Sequence, residues 1–490
     1  MSCTTILVGK KASYDGSTII ARNDDGGYDV KRLEVVIPKK RPSKYKCVIS
    51  HLEIDLPDNP LKYTICPNVD KKDGIWGAFG INELNVGMTA TETISSNVRV
   101  ISHDPYVRYK KSEDESKDKD KNNEIVGGIG EEDIISLVLP YISSAREGVV
   151  RLGSLLEKYG TYEANGLAIS DENEIWWLET IGGHHWIAKR VPDDRVVIMP
   201  NQFGLDEFDF SDAYSEKKEN MCSEDLKDFM VKNHIDCNLT STFNPRLAFG
   251  SHTYQDHIYN TPRAWFMLRY LNPREYTYDG DNAYFKPDSD DIPWSFVPSR
   301  KISIEEIKYI LSSYYQGTPY NPYSKSSEKG KYRSIGVPNT DDAGIIQIRG
   351  YLLPEIKGLI YVSLGGGVFT SSIAEYANVS NFPSFLSTTP LDVSCDHFFW
   401  ISRLIAALTD ANYVKTIALI ERYQYQSLLK SFEAIHKSDA EFIKTKDIEI
   451  LNKTNESICS EAKKDSLDVL KKVLNIASDS MKTRYNRSDN

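Results

Sequence analysis

Cys3, Arg22 and Asp25 have the types and spacing to carry out nucleophilic chemistry. A thiol attacks as its thiolate, so it needs a lowered pKa or a nearby base. Cys3 can obtain a base from its own backbone. If Met1 and Ser2 are removed, the freed α-amine, with a reference pKa of roughly 7.7 to 8.0, lies within reach of the same residue's sulfur. Arg22 and Asp25 belong to the run Ala21-Arg22-Asn23-Asp24-Asp25-Gly26-Gly27, which closes a predicted strand. Antiparallel pairing of that strand with residues 4–9 returns the run to Cys3. The guanidinium would favour thiolate there, and the carboxylate would hold and orient the α-ammonium. On position alone, a cysteine at residue 3 is more often a spectator, and an Arg and Asp after a strand are more often solvated.

The elements that must position these residues are legible as a mixture. Strands are expected over residues 4–9, 17–22, 32–37, 47–54, 62–66, 75–81 and 86–91, separated by turn residues. Helical spacing broken by Pro140 predicts two helices within 131–159. An antiparallel meander follows over 165–170, 175–180, 185–189 and 195–199. Helices are expected over 303–314 and 398–408, strands over 343–349 and 358–364, and long amphipathic helices over 413–436 and 462–477. Without regular strand-helix alternation, this is an α+β chain with mainly antiparallel sheets and a helix-rich C-terminal region. Residues 110–123, KKSEDESKDKDKNN, read as a charged surface insertion.

Over 490 residues, the formal charge of −11 and the lack of any long Lys/Arg run speak against nucleic acid as a partner. The N-terminus lacks the basic region of a secretory signal, and no run of about 18 apolar residues implies a membrane span. Seven scattered cysteines without Cys-x-x-Cys fit a reducing, cytoplasmic setting rather than a disulfide framework or zinc cage.

Other signals are weaker. His184 and His185, placed on a strand, would point to opposite faces and could not easily share a metal ion. His252 and His257 lack the His-Glu-x-x-His pattern. Gly365-Gly366-Gly367 lacks the Lys-Ser/Thr of a phosphate loop and reads as a tight backbone passage. Trp176 and Trp177 are expected on opposite faces of their strand. No metal or organic cofactor is expected.

The blocks CTTILVGKKAS, STIIARNDDGG, GIWGAFGINELNVGMTATET, EKYGTYEANGLAISDENEIWWLETIGGHHWIAKRVPDD and YNTPRAW resemble the dipeptidase A family of cysteine peptidases. The resemblance runs from Cys3 to about Phe432. It implies an N-terminal-nucleophile hydrolase, more distantly similar to penicillin V acylases, bile salt hydrolases and acid ceramidase, with an αββα sandwich of four layers. It implies a two-residue propeptide, a peptidase domain over 3–400 and a helical region over 401–490. Cys3 would be the nucleophile. The superfamily's Arg-x-x-Asp pattern falls on Arg22 and Asp25, with Asp24 a close competitor. Asn201 matches the oxyanion-hole asparagine, a backbone N–H within 89–92 would be the second donor, and Arg263 matches a second active-site arginine. Dipeptides are then the expected substrates, and a homo-oligomer is neither required nor excluded. Two rival readings stay open: an amidase acting on acyl-amino-acid conjugates, and a secernin-like regulatory or trafficking protein without catalysis.

Overall fold

In the computed structural model, which describes residues 2–38, 44–110, 124–239 and 242–482, the chain opens with the strand Ser2–Val8. It turns at residues 13–16 and returns as Thr18–Asp25, pairing Cys3 with Asp24 and Thr5 with Arg22. Both strands are rich in β-branched residues, and residues 3–8 and 18–25 are buried on both faces, as central strands require. They lie at the middle of a seven-stranded antiparallel sheet. Its order is Ser295–Phe296, Val196–Met199, Ser2–Val8, Thr18–Asp25, Asp342–Ile348, Gly358–Leu364 and Ile373–Tyr376.

A second, eight-stranded antiparallel sheet has the order Asn220–Cys222, Trp186–Arg190, Ile175–Thr180, Asn165–Ser170, Gly87–Thr93, Phe79–Asn82, Tyr63–Ile65 and Glu34–Val36. The strands Ser2–Val8 and Thr18–Asp25 pack against Gly87–Thr93. The sheets approach so closely that a Cβ on Gly344 would stand 2.2 Å from the Phe79 ring. Side chains alternate between two cores. Trp177 joins the core shared with the first sheet, while Trp176 and Leu178 join the core beneath the helices Glu131–Val138 and Ala145–Tyr159. The expected division of the two tryptophans therefore holds.

The helix Ile304–Leu311, opened by a Ser303–Glu306 capping box, packs on the strands Ser2–Val8, Thr18–Asp25 and Asp342–Ile348. The C-terminal region is Phe398–Ala411, Tyr413–Thr445 and Glu449–Asp479. The last two pair as a long hairpin whose joint is Lys446 in the left-handed region, and both reach the edge strand Ile373–Tyr376. There Asn455 meets the edge backbone twice: Tyr376 N donates to Oδ1 at 2.9 Å and Nδ2 donates to Tyr376 O at 3.1 Å.

The α+β class, the antiparallel sheets and the helical C-terminal region agree with the sequence reading. Several boundaries move. The strand expected over 47–54 is instead a small hairpin, Lys44–Lys46 with Glu53–Asp55, and Cys47 lies in its turn. The strand over 75–81 shrinks to Phe79–Asn82. Residues 111–123 of the charged insertion lie outside the described residues. At the glycine run, Gly365 and Gly366 have φ of 59° and 119°, and a Cβ on Gly365 would meet Phe399 O at 2.5 Å, so the passage is indeed tight. Among the described residues no helix is long and apolar enough to cross a membrane.

Candidate active site

The central hairpin brings Arg22 to the nucleophile candidate by register. Thr5 and Cys3 share one face of their strand, and Arg22 lies opposite Thr5, so its guanidinium turns toward the sulfur. Arg22 Nη2 reaches Cys3 Sγ at 2.7 Å and Asp24 Oδ1 at 3.4 Å. Sγ itself stands 3.5 Å from Asp24 Oδ1. Asn23, between them, faces the other way and donates from Nδ2 to Ile335 O and Leu311 O.

Asn201 arrives from the other neighbouring strand. Met199 pairs with Thr5, so two residues further on, Asn201 comes level with Cys3. Its Oδ1 accepts from Cys3 N at 3.0 Å and from Arg263 Nη2 at 2.8 Å, while Nδ2 donates to Thr93 O at 3.0 Å. Arg263 sits in the first turn of the helix Thr261–Leu271, where Pro262 suits the helix start. Its Nη1 donates to Cys3 O, and to Thr4 Oγ1 at 2.8 Å. Nη2 also donates to Asn260 Oδ1 at 2.8 Å. Asn260 in turn donates to Asn201 O at 2.9 Å, closing the cluster.

The two aspartates part company. Asp24 Oδ2 pairs with Lys31 Nζ at 3.1 Å, and Lys31 also lies 3.5 Å from Asp342. Asp25 instead accepts from Arg333 Nη2 and Thr340 Oγ1. Its backbone lies opposite Ser2, beside the amine that removal of Ser2 would free. The structure thus gathers Cys3, Arg22, Asn201 and Arg263 directly, and places Asp25 at the Ser2 end of the same hairpin.

Burial dominates the electrostatics. It pushes the Cys3 thiol well above its ordinary pKa; the Arg22 charge opposes this, while Asp24, Glu92 and Glu131 add to it. Burial also works against the Asp24 carboxylate, but Lys31 and Arg22 more than offset it and hold its pKa well below the usual range. Arg263 is lowered to about 10 by burial and by the neighbouring Arg333 charge. Burial raises Glu92 to about 8, against the pull of Arg263 and Arg22.

Glu92, Lys31 and Arg333 escaped the sequence reading. Glu92 Oε2 accepts from Thr5 Oγ1 at 2.8 Å, between the sheets. Strict alternation from Met88 and Ala90 would have put it under the helices. A β-bulge intervenes: Gly166 pairs with Glu92 but Ala168 with Thr89, so the extra residue reverses the parity. Lys31 and Arg333 stand outside the long strands and helices, and nothing in their local sequence marks them.

The histidine pair needs a correction. His184 and His185 precede the strand Trp186–Arg190, and the opposite-face argument does not apply to a turn. Both rings converge on Asp104, with Nδ1 to carboxylate distances of 3.3 and 2.7 Å. Among the described residues, no group of three His, Cys, Asp or Glu side chains is arranged to hold a metal ion.

Comparison with known proteins identifies the family of this chain as one of peptidases. The chain belongs to peptidase family C69, whose model matches residues 2–426. A protein of Bifidobacterium longum named dipeptidase is 52% identical over 432 residues, covering 86% of this chain and 80% of that protein. One from Streptococcus pyogenes serotype M18, named "Probable dipeptidase A", is 44% identical over 495 residues, 100% of this chain and 98% of its own. Dipeptidase A of Lactobacillus helveticus is 43% identical over 448 residues, covering 90% and 88%.

Proposed function

We propose that this chain is a cysteine dipeptidase whose nucleophile is Cys3, made N-terminal by removal of Met1 and Ser2. The observation that carries the reading is the convergence on Cys3 of Arg22 at its sulfur, from one neighbouring strand, and Asn201 at its nitrogen, from just beyond the end of the other. The dipeptidase names of relatives that cover nearly the whole chain support the substrate class. Helices packed outside two facing sheets support a four-layer αββα sandwich of the N-terminal-nucleophile type. The proposed division is a peptidase domain over 3–400 and a helix-rich region over 401–490, whose described helices pack on the edge of the first sheet. Seven free cysteines, five of them buried, suit a cytoplasmic location.

In the proposed reaction the freed α-amine takes the Cys3 thiol proton, and the thiolate adds to the carbonyl carbon of the dipeptide bond. Negative charge collects on the carbonyl oxygen, where the Asn201 amide and a backbone N–H within 89–92 would stabilise it. The C–N bond then breaks, the amine product leaves with the proton, and a thioester remains on Cys3. Water hydrolyses the thioester and restores the thiol. Arg22 favours the thiolate, Asp25 orients the α-ammonium, and Arg263 fixes Asn201 and the Cys3 carbonyl.

The test pairs intact mass and N-terminal sequencing of the active protein with a panel of dipeptides and acyl-amino-acid conjugates. The expected result is a chain starting at Cys3 that cleaves dipeptides. Full activity with Ser2 still attached would overturn the amine-base mechanism, and cleavage of conjugates alone would overturn the substrate class.

A further inference from the structure

Three guanidiniums surround Cys3, and two of them are committed. Arg22 and Arg263 are 1% and 0% exposed. Arg263 is saturated by Cys3 O, Thr4 Oγ1, Asn201 Oδ1, Asn260 Oδ1 and Tyr259 O. Arg333 differs. It lies in the irregular segment between Ile304–Leu311 and Asp342–Ile348, and its side chain keeps 13% exposure. Its Nη1 is anchored on Ser334 O at 2.5 Å and Ile335 O at 3.0 Å, and its Nη2 holds the Asp25 carboxylate. The half-exposed Tyr259 ring covers both guanidiniums, its centroid 5.7 Å from the Arg263 guanidinium carbon and 5.6 Å from that of Arg333, but of the two only Arg333 keeps exposure.

We propose that Arg333 recognises the C-terminal carboxylate of the substrate and thereby sets the length of peptide accepted; this rests on the dipeptidase reading above. Asp25 pairs with Ser2 in the ladder, so removal of Ser2 creates an α-ammonium beside it. That new cation, one residue along the ladder from Asp25, would compete with Arg333 for its carboxylate and leave one edge of the Arg333 fork to an incoming carboxylate. The planar fork matches a carboxylate, and its backbone anchors fix its position. In a dipeptide the attacked carbonyl carbon and the terminal carboxyl carbon belong to consecutive residues, whose Cα atoms are about 3.8 Å apart. Each further residue moves the carboxylate on by about 3.3–3.6 Å. A fixed cation therefore accepts one residue on the leaving side and no more. The same group would explain exopeptidase behaviour without a closed pocket.

The experiment compares alanyl-leucine with alanyl-leucinamide, reading release of alanine by the mature enzyme, for wild type, Arg333→Ala and Arg333→Lys. Wild type is expected to favour the free acid by about tenfold to a hundredfold in kcat/KM, mostly through KM. Arg333→Ala should bring the acid-to-amide ratio of kcat/KM to within about threefold of one, whatever happens to the two absolute rates through Asp25. Arg333→Lys should keep part of the preference. If Arg333→Ala loses both rates equally with the preference intact, the residue only positions Asp25 and the proposal is overturned. Equal cleavage of acid and amide by wild type overturns it without any variant, should Arg333→Ala fail to fold. Failure of wild type on every dipeptide would sink the dipeptidase reading instead, and this proposal with it.

Discussion

Asn201 meets Cys3 through its oxygen. Oδ1 accepts from both Cys3 N and Arg263 Nη2, which fixes the amide's orientation and sends Nδ2 toward Thr93 O. An oxyanion contact must therefore come from the Nδ2 group, while Oδ1 serves the amine side of the same residue. Replacing Asn201 by Ala should lower turnover by about a hundredfold to a thousandfold, as loss of one oxyanion donor does. Asn201→Asp separates the two ends. It keeps an acceptor for Cys3 and Arg263 but donates nothing and repels the oxyanion, so it should be as poor as alanine in steady-state kinetics. Near-normal turnover of the aspartate variant would leave Asn201 with only its acceptor role.

Cys3→Ala should abolish hydrolysis while circular dichroism and melting stay close to wild type. Substitutions of Cys47, Cys66 and Cys395 should leave most activity. Alkylation of the mature enzyme should inactivate it, and chelators should not. Normal turnover by Cys3→Ala would move the nucleophile elsewhere.

Asp24 and Asp25 should fail differently. Asp24 pairs with Lys31, which is almost fully buried, so Asp24→Asn removes the nearer of the ammonium's two carboxylates and leaves it Asp342 alone at 3.5 Å. Breaking a buried pair costs up to about 3–5 kcal/mol, and with Asp342 still facing Lys31 the loss should fall below that range while remaining visible as a drop in melting temperature. Asp25→Asn should melt nearer wild type but lose turnover heavily, because its carboxylate stands at the Ser2 end of the hairpin. Equal, mild effects of both would return the pair to an ordinary structural role.

Stability should fall as pH rises from about 4.5 to 7, and Glu179 supplies one measurable part of the slope. Burial raises its pKa to about 7, against hydrogen bonds from Trp177 Nε1, Gly204 N and Leu205 N. A carboxyl raised on folding binds its proton more tightly in the native state. Its contribution is complete below the unfolded pKa and is lost as pH climbs to the folded one. Glu179→Gln should flatten the melting temperature between pH 5 and 7. An unchanged slope in that variant would show that Glu179 is ionised in the native protein throughout this range.

How far the sequence could be read depended on whether local pattern or distant contact decided each residue. The hairpin that carries Cys3 and Arg22 was legible, because β-branched runs and a turn fix its register over a short span. The tryptophan pair was legible for the same reason of alternation. Glu92 was hidden by a bulge, which shows only when two strands are laid side by side. Arg333 and Lys31 were hidden because partners 308 and 7 residues away in the chain give them their surroundings, and neither lies in a periodic element. Asn201 and Arg263 emerged only through resemblance to relatives, since they stand 62 positions apart and carry no local sign of contact.

The double contact between Asn455 and Tyr376 bears on how the protein behaves in a crowded solution. The strand Ile373–Tyr376 ends the seven-stranded sheet, and an edge of that kind offers N–H and C=O groups to any passing extended chain. A peptidase meets extended chains constantly. At Tyr376 the side-chain amide of Asn455 takes the place such a chain would occupy, donating and accepting as a backbone would. The long C-terminal hairpin thus covers the sheet's margin, taking up groups that would otherwise be open to a passing chain or to the same edge of a second copy.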